Sequence, residues 1–213
     1  MKTIKQLAGV GLLSVAMLQS AWAQEPESCK MVRFAEIGWA DIAATTGVAM
    51  TLSEGLGYQT RKIMASVPIA FTGVQKGQID VFLGYWAPSM DAVIEPFTKD
   101  GGVKVLPKAN LEGAKYTLAV PTYAAEAGLK SFADIAKFKD QLGGKIFGIE
   151  PGNDGNLLID GMIKSNQFGL GEFKMVESSE AGMLVQLQRA VKKNEPAVFL
   201  GWAPHPMNTQ FDI

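Results

Sequence analysis

Three tryptophans in this chain follow a glycine immediately or one residue later: Gly38-Trp39, Gly84-Tyr85-Trp86 and Gly201-Trp202. Two of them sit in copies of one segment, Val81-Phe82-Leu83-Gly84-Tyr85-Trp86-Ala87-Pro88 and Val198-Phe199-Leu200-Gly201-Trp202-Ala203-Pro204. Each copy reads as a short β-branched and aromatic run suited to a buried strand, stopped by Gly and Pro. An indole is thereby delivered to the carboxyl end of a strand, the edge at which open α/β sheets bind ligands. A lone tryptophan is more often core or cleft wall, but three at matching strand ends favour a shared aromatic site. A box of indole faces suits a cation whose charge hydrogen bonds cannot reach. A quaternary ammonium is such a cation, because its methyl groups leave only cation–π and dispersion contact, worth around 2 kcal/mol per desolvated ring. A primary ammonium would instead require several directed acceptors.

Composition removes other chemistries. The sequence has 213 residues with 20 basic and 21 acidic side chains. Residues 1–23 read as a signal peptide: Met1-Lys2-Thr3-Ile4-Lys5 is a positive start, residues 7–18 are apolar, and Ala21-Trp22-Ala23 supplies the cleavage signal. The apolar run is too short for a comfortable membrane span, and no Cys directly follows the cleavage point, so an exported, unlipidated protein is expected. Losing Lys2 and Lys5 leaves a net charge of about −3, which gives no hint of nucleic-acid or anionic-membrane binding. Cys29 is the only cysteine; it is either a free thiol or paired beyond Ile213. With His205 as the only histidine, zinc sites, Ser-His-Asp triads and Cys-His pairs lack their residues. No catalytic set, metal site or cofactor is expected.

The elements that must position the rings follow from periodicity. Residues 31–37 read as a strand, 42–56 as a helix ended by Gly55 and Gly57, 59–64 as a strand and 68–76 as a short helix with Pro near its first turn. Residues 79–83 form the strand leading to Trp86, 90–97 a helix and 103–106 a strand. The pattern restarts at Tyr116 with a strand over 117–120, a helix over 131–142 with Ser131 as N-cap, a strand over 145–149, and a tight loop over 151–155. A helix over 156–166, a strand over 173–176, an amphipathic helix over 180–193 and a strand over 197–200 follow. Short β-α-β connections predict mostly parallel sheets flanked by helices. We expect two α/β lobes around a cleft: residues 24–110 as the first, 111–202 as the second, and 203–213 returning toward the first. The chain stops with no helix completed after the second Trp strand, so it reads as truncated, with an incomplete first lobe.

Gly38-Trp39-Ala40-Asp41, Val81-Phe82-Leu83-Gly84-Tyr85-Trp86, Asn110-Leu111-Glu112-Gly113-Ala114-Lys115-Tyr116, Glu150-Pro151-Gly152-Asn153-Asp154-Gly155-Asn156 and Val198-Phe199-Leu200-Gly201-Trp202 resemble the periplasmic choline-binding proteins. These belong to the substrate-binding proteins of glycine betaine/choline/carnitine ABC importers. The resemblance runs from about Met31 to the last residue. It implies a two-lobed, type II-like periplasmic binding protein that closes on its ligand and hands it to a membrane permease. It assigns Trp39, Trp86, Tyr116 and Trp202 to the box around the ammonium, and Asp41 and Asn153 to polar contacts. Members of the family continue well past the equivalent of Ile213, and the resemblance places the disulfide partner of Cys29 there.

Local alternatives stand beside these assignments. Asp41 sits where a helix N-cap belongs, Tyr116 could be core, and Asn153 could simply hold a turn. The loop over 152–155 precedes a helix, where an anion could bind, and it offers too few oxygens for calcium. A betaine or carnitine carboxylate would want Arg, Lys or several backbone N–H groups, and Asp41 would repel it. No Arg or Lys adjoins a box tryptophan in sequence. Choline is therefore the expected ligand, with glycine betaine and carnitine as alternatives and a secreted enzyme acting on a choline-like substrate as a remote one.

Overall fold

A computed structural model describes residues 26–213; the expected signal peptide lies outside the described residues. β1 (Met31–Glu36) and β2 (Gln59–Met64) pair in parallel, with Met31 opposite Gln59 and Glu36 opposite Met64. The crossover between them is α1 (Ala40–Gly55), which buries Ile42 and Thr46 and leaves Val48, Leu52 and Leu56 exposed. α2 (Val67–Gln75) starts with Pro68 in its first turn, where a missing N–H is harmless. It buries Val67, Ala70 and Phe71.

Residues 79–83, expected as a strand, make only one bridge, Val81 beside Phe34. Arg33 draws the segment alongside β1 by gripping Asp80 (Nε–Oδ2 2.8 Å, Nη2–Oδ1 2.7 Å). Pairing stops at that bridge although β1 runs on to Glu36, and the chain then turns at Gly38, whose φ of +99° lies in the region glycine favours. The strand expected over 103–106 is also absent: Val103 bonds back to Phe97 O, and no strand among the described residues lies beside it. α3 (Asp91–Thr98) separates these two segments.

The second sheet has four strands in the order β3 (Lys115–Ala119), β6 (Phe199–Ala203), β4 (Lys145–Phe147) and β5 (Lys174–Val176). β4 is parallel to both β5 and β6, whereas β3 runs antiparallel to β6. After β3 comes α4 (Thr122–Glu126), and the helix expected over 131–142 is broken into α5 (Phe132–Ile135), a 3-10 turn and α6 (Lys139–Leu142). The Ser131 hydroxyl does not cap; it donates to Asp134 Oδ2 at 2.7 Å. α7 (Asp154–Lys164) starts two residues before its expected position because Asn153 caps it. α8 (Glu180–Lys193) is capped by Ser179, whose hydroxyl accepts from Gly182 N, and ended by a left-handed Asn194. α9 (Met207–Gln210) follows β6, and Asp212 ties the last residues to Thr122. No helix among the described residues is long and apolar enough to cross a membrane. The main core runs through Ile146, Val198, Phe199, Met183 and Leu187 and continues to Phe71 and Trp39, while Ala35 of β1 packs with Ala70 and Ile79 in a smaller cluster.

Candidate functional site

Trp39, Asp41, Trp86, Tyr116, Asn153 and Trp202 all line one cavity, together with Met90, Ile149 and Asp154. All six residues singled out in the sequence thus meet at one place. Trp202 falls within β6 rather than after it, directly opposite Tyr116 of β3 in the antiparallel register. Opposed residues leave a sheet on the same face, and the two rings meet edge to face with centroids 6.4 Å apart. Trp86 adds a third ring 5.7 Å from Tyr116. It sits on the loop before α3, where Met90 Sδ approaches its backbone N–H. Both Trp-Ala-Pro copies turn through a cis Ala–Pro bond.

Trp39 occupies the N-cap position of α1, so Asp41 stands inside the first turn and does not cap. Neither Asp41 carboxylate oxygen has a hydrogen-bond partner, although both are buried. Burial raises its carboxyl above the ordinary range; the Trp202 indole N–H, turned toward it without closing a hydrogen bond, offsets part of that. Asp154 opens α7, where a negative charge is favoured by the helix N-terminus. One of its oxygens is likewise buried and unpartnered, and burial raises its carboxyl too, offset in part by Ser89.

Asn153 does hold a turn: its Oδ1 accepts from Gly155 N at 2.8 Å and Asn156 N at 3.2 Å. It also accepts from Tyr116 Oη at 2.8 Å. That oxygen is saturated, so only the amide N–H₂ remains, and part of it acts on Glu150. Gly155 is required here because a Cβ would stand 1.8 Å from Tyr116 Oη. Burial drives the Tyr116 hydroxyl pKa upward, and the Asp154 and Glu150 charges add to this.

Glu150 was not picked out from the sequence. Both its oxygens accept from Trp39 Nε1, at 3.1 and 3.0 Å, across 111 residues. The bond fixes the plane of the indole. Burial raises the Glu150 carboxyl, with the Trp39 N–H opposing. Asp154 was also missed as a wall residue. Glu150 and Asp154 stand in the quoted Glu-Pro-Gly-Asn-Asp-Gly run, but nothing in its spacing says which side chain faces the rings.

The arrangement is chemically one-sided. Four aromatic rings share a cavity with the buried, unpartnered Asp41 carboxylate and the unpartnered Oδ2 of Asp154, and no Lys or Arg is among its lining residues. A monovalent cation too wide for hydrogen bonding matches that surface.

Residues 30–213 match the family described as the substrate-binding domain of ABC-type glycine betaine transport systems. The chain is 55% identical to a solved ABC-transporter choline-binding protein in complex with choline, with a TM-score of 0.84 over 88% of this chain and 64% of that one. The lactococcal protein OpuAC, solved closed with glycine betaine, is 28% identical with a TM-score of 0.76, over 86% of this chain and 68% of that one. An uncharacterized protein ORF1 of Chromohalobacter salexigens is 51% identical over 65% of this chain and 87% of its own length. The chain therefore spans just under two thirds of the choline-bound structure it resembles.

Proposed function

Because the chain belongs to the substrate-binding domains of ABC-type glycine betaine transport systems, we propose that it captures choline between two lobes and delivers it to an ABC permease. In this reading it works in the periplasm after loss of residues 1–23, with residues 24–110 and 111–202 as the two lobes. The observation that carries it is the pairing of four rings with the unpartnered Asp41 carboxylate and the unpartnered Oδ2 of Asp154. Trp39, Trp86, Tyr116 and Trp202 surround the trimethylammonium. Asp41 accepts from the choline hydroxyl, and the free N–H of Asn153 donates to the same oxygen. Three or four rings at around 2 kcal/mol each supply roughly 6–8 kcal/mol gross. That is short of what a micromolar complex needs once the entropic cost of capture is met, so the carboxylate charges supply the rest.

The same electrostatics rank the ligands. Glycine betaine and carnitine carry a carboxylate that would meet Asp41 and Asp154, whereas choline carries only the positive charge. Titrating the full-length protein with choline while following tryptophan fluorescence, then competing with glycine betaine and carnitine, tests this. Saturation by choline with weaker competition by both zwitterions is expected; no saturable change, or stronger binding of either zwitterion, would refute the choline reading.

A further inference from the structure

Glu180 and His205 lie outside the cavity but meet at the segment that carries Trp39 and Asp41. Glu180 opens α8 beside the four-stranded sheet, and its Oε2 accepts the Ala40 backbone N–H at 2.9 Å, across 140 residues. That N–H is one of the donors a helix N-terminus leaves unpaired, and Trp39 at the N-cap offers no side-chain acceptor. Oε1 of Glu180 stands 3.0 Å from His205 Nε2. His205 Nδ1 accepts from Met207 N at 2.9 Å. A nitrogen that accepts carries no proton, so the neutral ring holds its proton on Nε2, facing Glu180. This approach lacks hydrogen-bond alignment and acts electrostatically. The edge of Trp202 packs on the other side of His205, with ring centroids 4.6 Å apart. Glu180 is therefore a buried carboxylate between two N–H groups, one from each sheet's side of the molecule.

We propose that Glu180, oriented by His205, is a positioning residue that latches the two lobes by capping the first turn of α1, and so sets how long a ligand stays bound. The proposal rests on the reading of the cleft as a ligand site. Ala40 lies between Trp39 and Asp41, so the latch fixes a ring and a carboxylate of the cavity together. The Glu180 charge also acts on Asp41, raising its carboxyl slightly. Only a carboxylate accepts from Ala40 N while facing His205 Nε2 with negative charge. A glutamine would turn an N–H₂ against one of two donors.

The test is stopped-flow choline binding by the full-length protein and its Glu180→Ala, Glu180→Gln and Ala40→Pro variants. Ala40→Pro removes only the N–H, at a first helical position that tolerates proline. Each variant is expected to raise koff about tenfold or more, with kon within about twofold. Combining Glu180→Ala with Ala40→Pro should add little, because both break one contact. A merely structural defect would lower the active fraction without this split. Unchanged koff, or independent multiplication of the two effects, would overturn the latch. If the wild type fails to bind choline, the ligand reading falls by itself. Spin-label distances between Leu52→Cys and Leu157→Cys, in a full-length background with no other cysteine, then decide: a loss of the short-distance population in Glu180→Ala supports the latch, and an unchanged distribution sinks it.

Discussion

Tyr116 and Trp202 are held by hydrogen-bonded strands, Trp39 and Trp86 by what reaches them from across the cleft. The first pair stands opposed in the β3–β6 ladder, and Tyr116 is pinned further by Asn153. The second pair sits on loops beside a two-stranded sheet. Trp39 is oriented by Glu150, and Trp86 leans on Tyr116. In the proposed reading, the strand-held half of the box supplies fixed complementarity, and the loop-held half is the one whose movement would permit entry and release.

Substitutions in the two halves should therefore separate stability from affinity. Trp202→Ala is expected to have the largest effect: the ring is 6% exposed, so thermal or denaturant unfolding should show a loss of about 3–5 kcal/mol, with choline binding abolished. Trp86→Ala, on a half-buried loop position, should weaken choline about 30-fold while leaving the melting temperature nearly unchanged. A large stability loss in Trp86→Ala would erase the distinction between the halves. Asp41→Asn should move the two properties in opposite directions. It removes a buried unpaired charge, so the unliganded protein becomes more stable, while calorimetry should show choline binding weakened about tenfold.

The pH dependence follows with a definite sign. A carboxyl whose folded pKa is raised, as for Asp41 and Asp154, binds protons more tightly folded than unfolded. The unliganded protein should lose stability as pH rises from the ordinary Asp value of about 3.9 through the raised ones. A bound cation favours the ionised form, so choline binding releases protons and weakens as pH falls through the same window. Asp41→Asn should flatten that profile. Tyr116→Phe should do least: it keeps the ring and loses one hydrogen bond to Asn153, about 0.5–1.5 kcal/mol of stability, with little change in affinity.

The rings were legible because Gly-Trp and Trp-Ala-Pro recur where strand patterns end. β1, β2 and α8 were legible for local reasons: Ser179 and Asn194 mark the ends of α8 as plainly in the sequence as in the structure. What was not legible depended on distant partners. Residues 103–106 have strand composition but no strand beside them among the described residues. Residues 79–83 meet β1 through a single bridge, at Val81 beside Phe34. Residues 131–142 looked like one helix, yet Ser131 spends its hydroxyl on Asp134 instead of on the backbone. Glu150 carries no periodic signal at all; its role exists only because folding brings Trp39 to it. Asp41 and Asn153 had two readings each. The geometry separates them: Asp41 caps nothing and is left unpaired, whereas Asn153 caps α7 and keeps only its amide N–H₂ for other partners.

The central claim is that rings and carboxylates together select positive charge rather than shape. Calorimetric titration of the full-length protein with choline, and with the neutral analogue in which carbon replaces the ammonium nitrogen, isolates that term. Choline should bind with micromolar affinity and the analogue at least about 100-fold more weakly. Equal affinities would show that the cavity reads only apolar bulk, and would contradict the account.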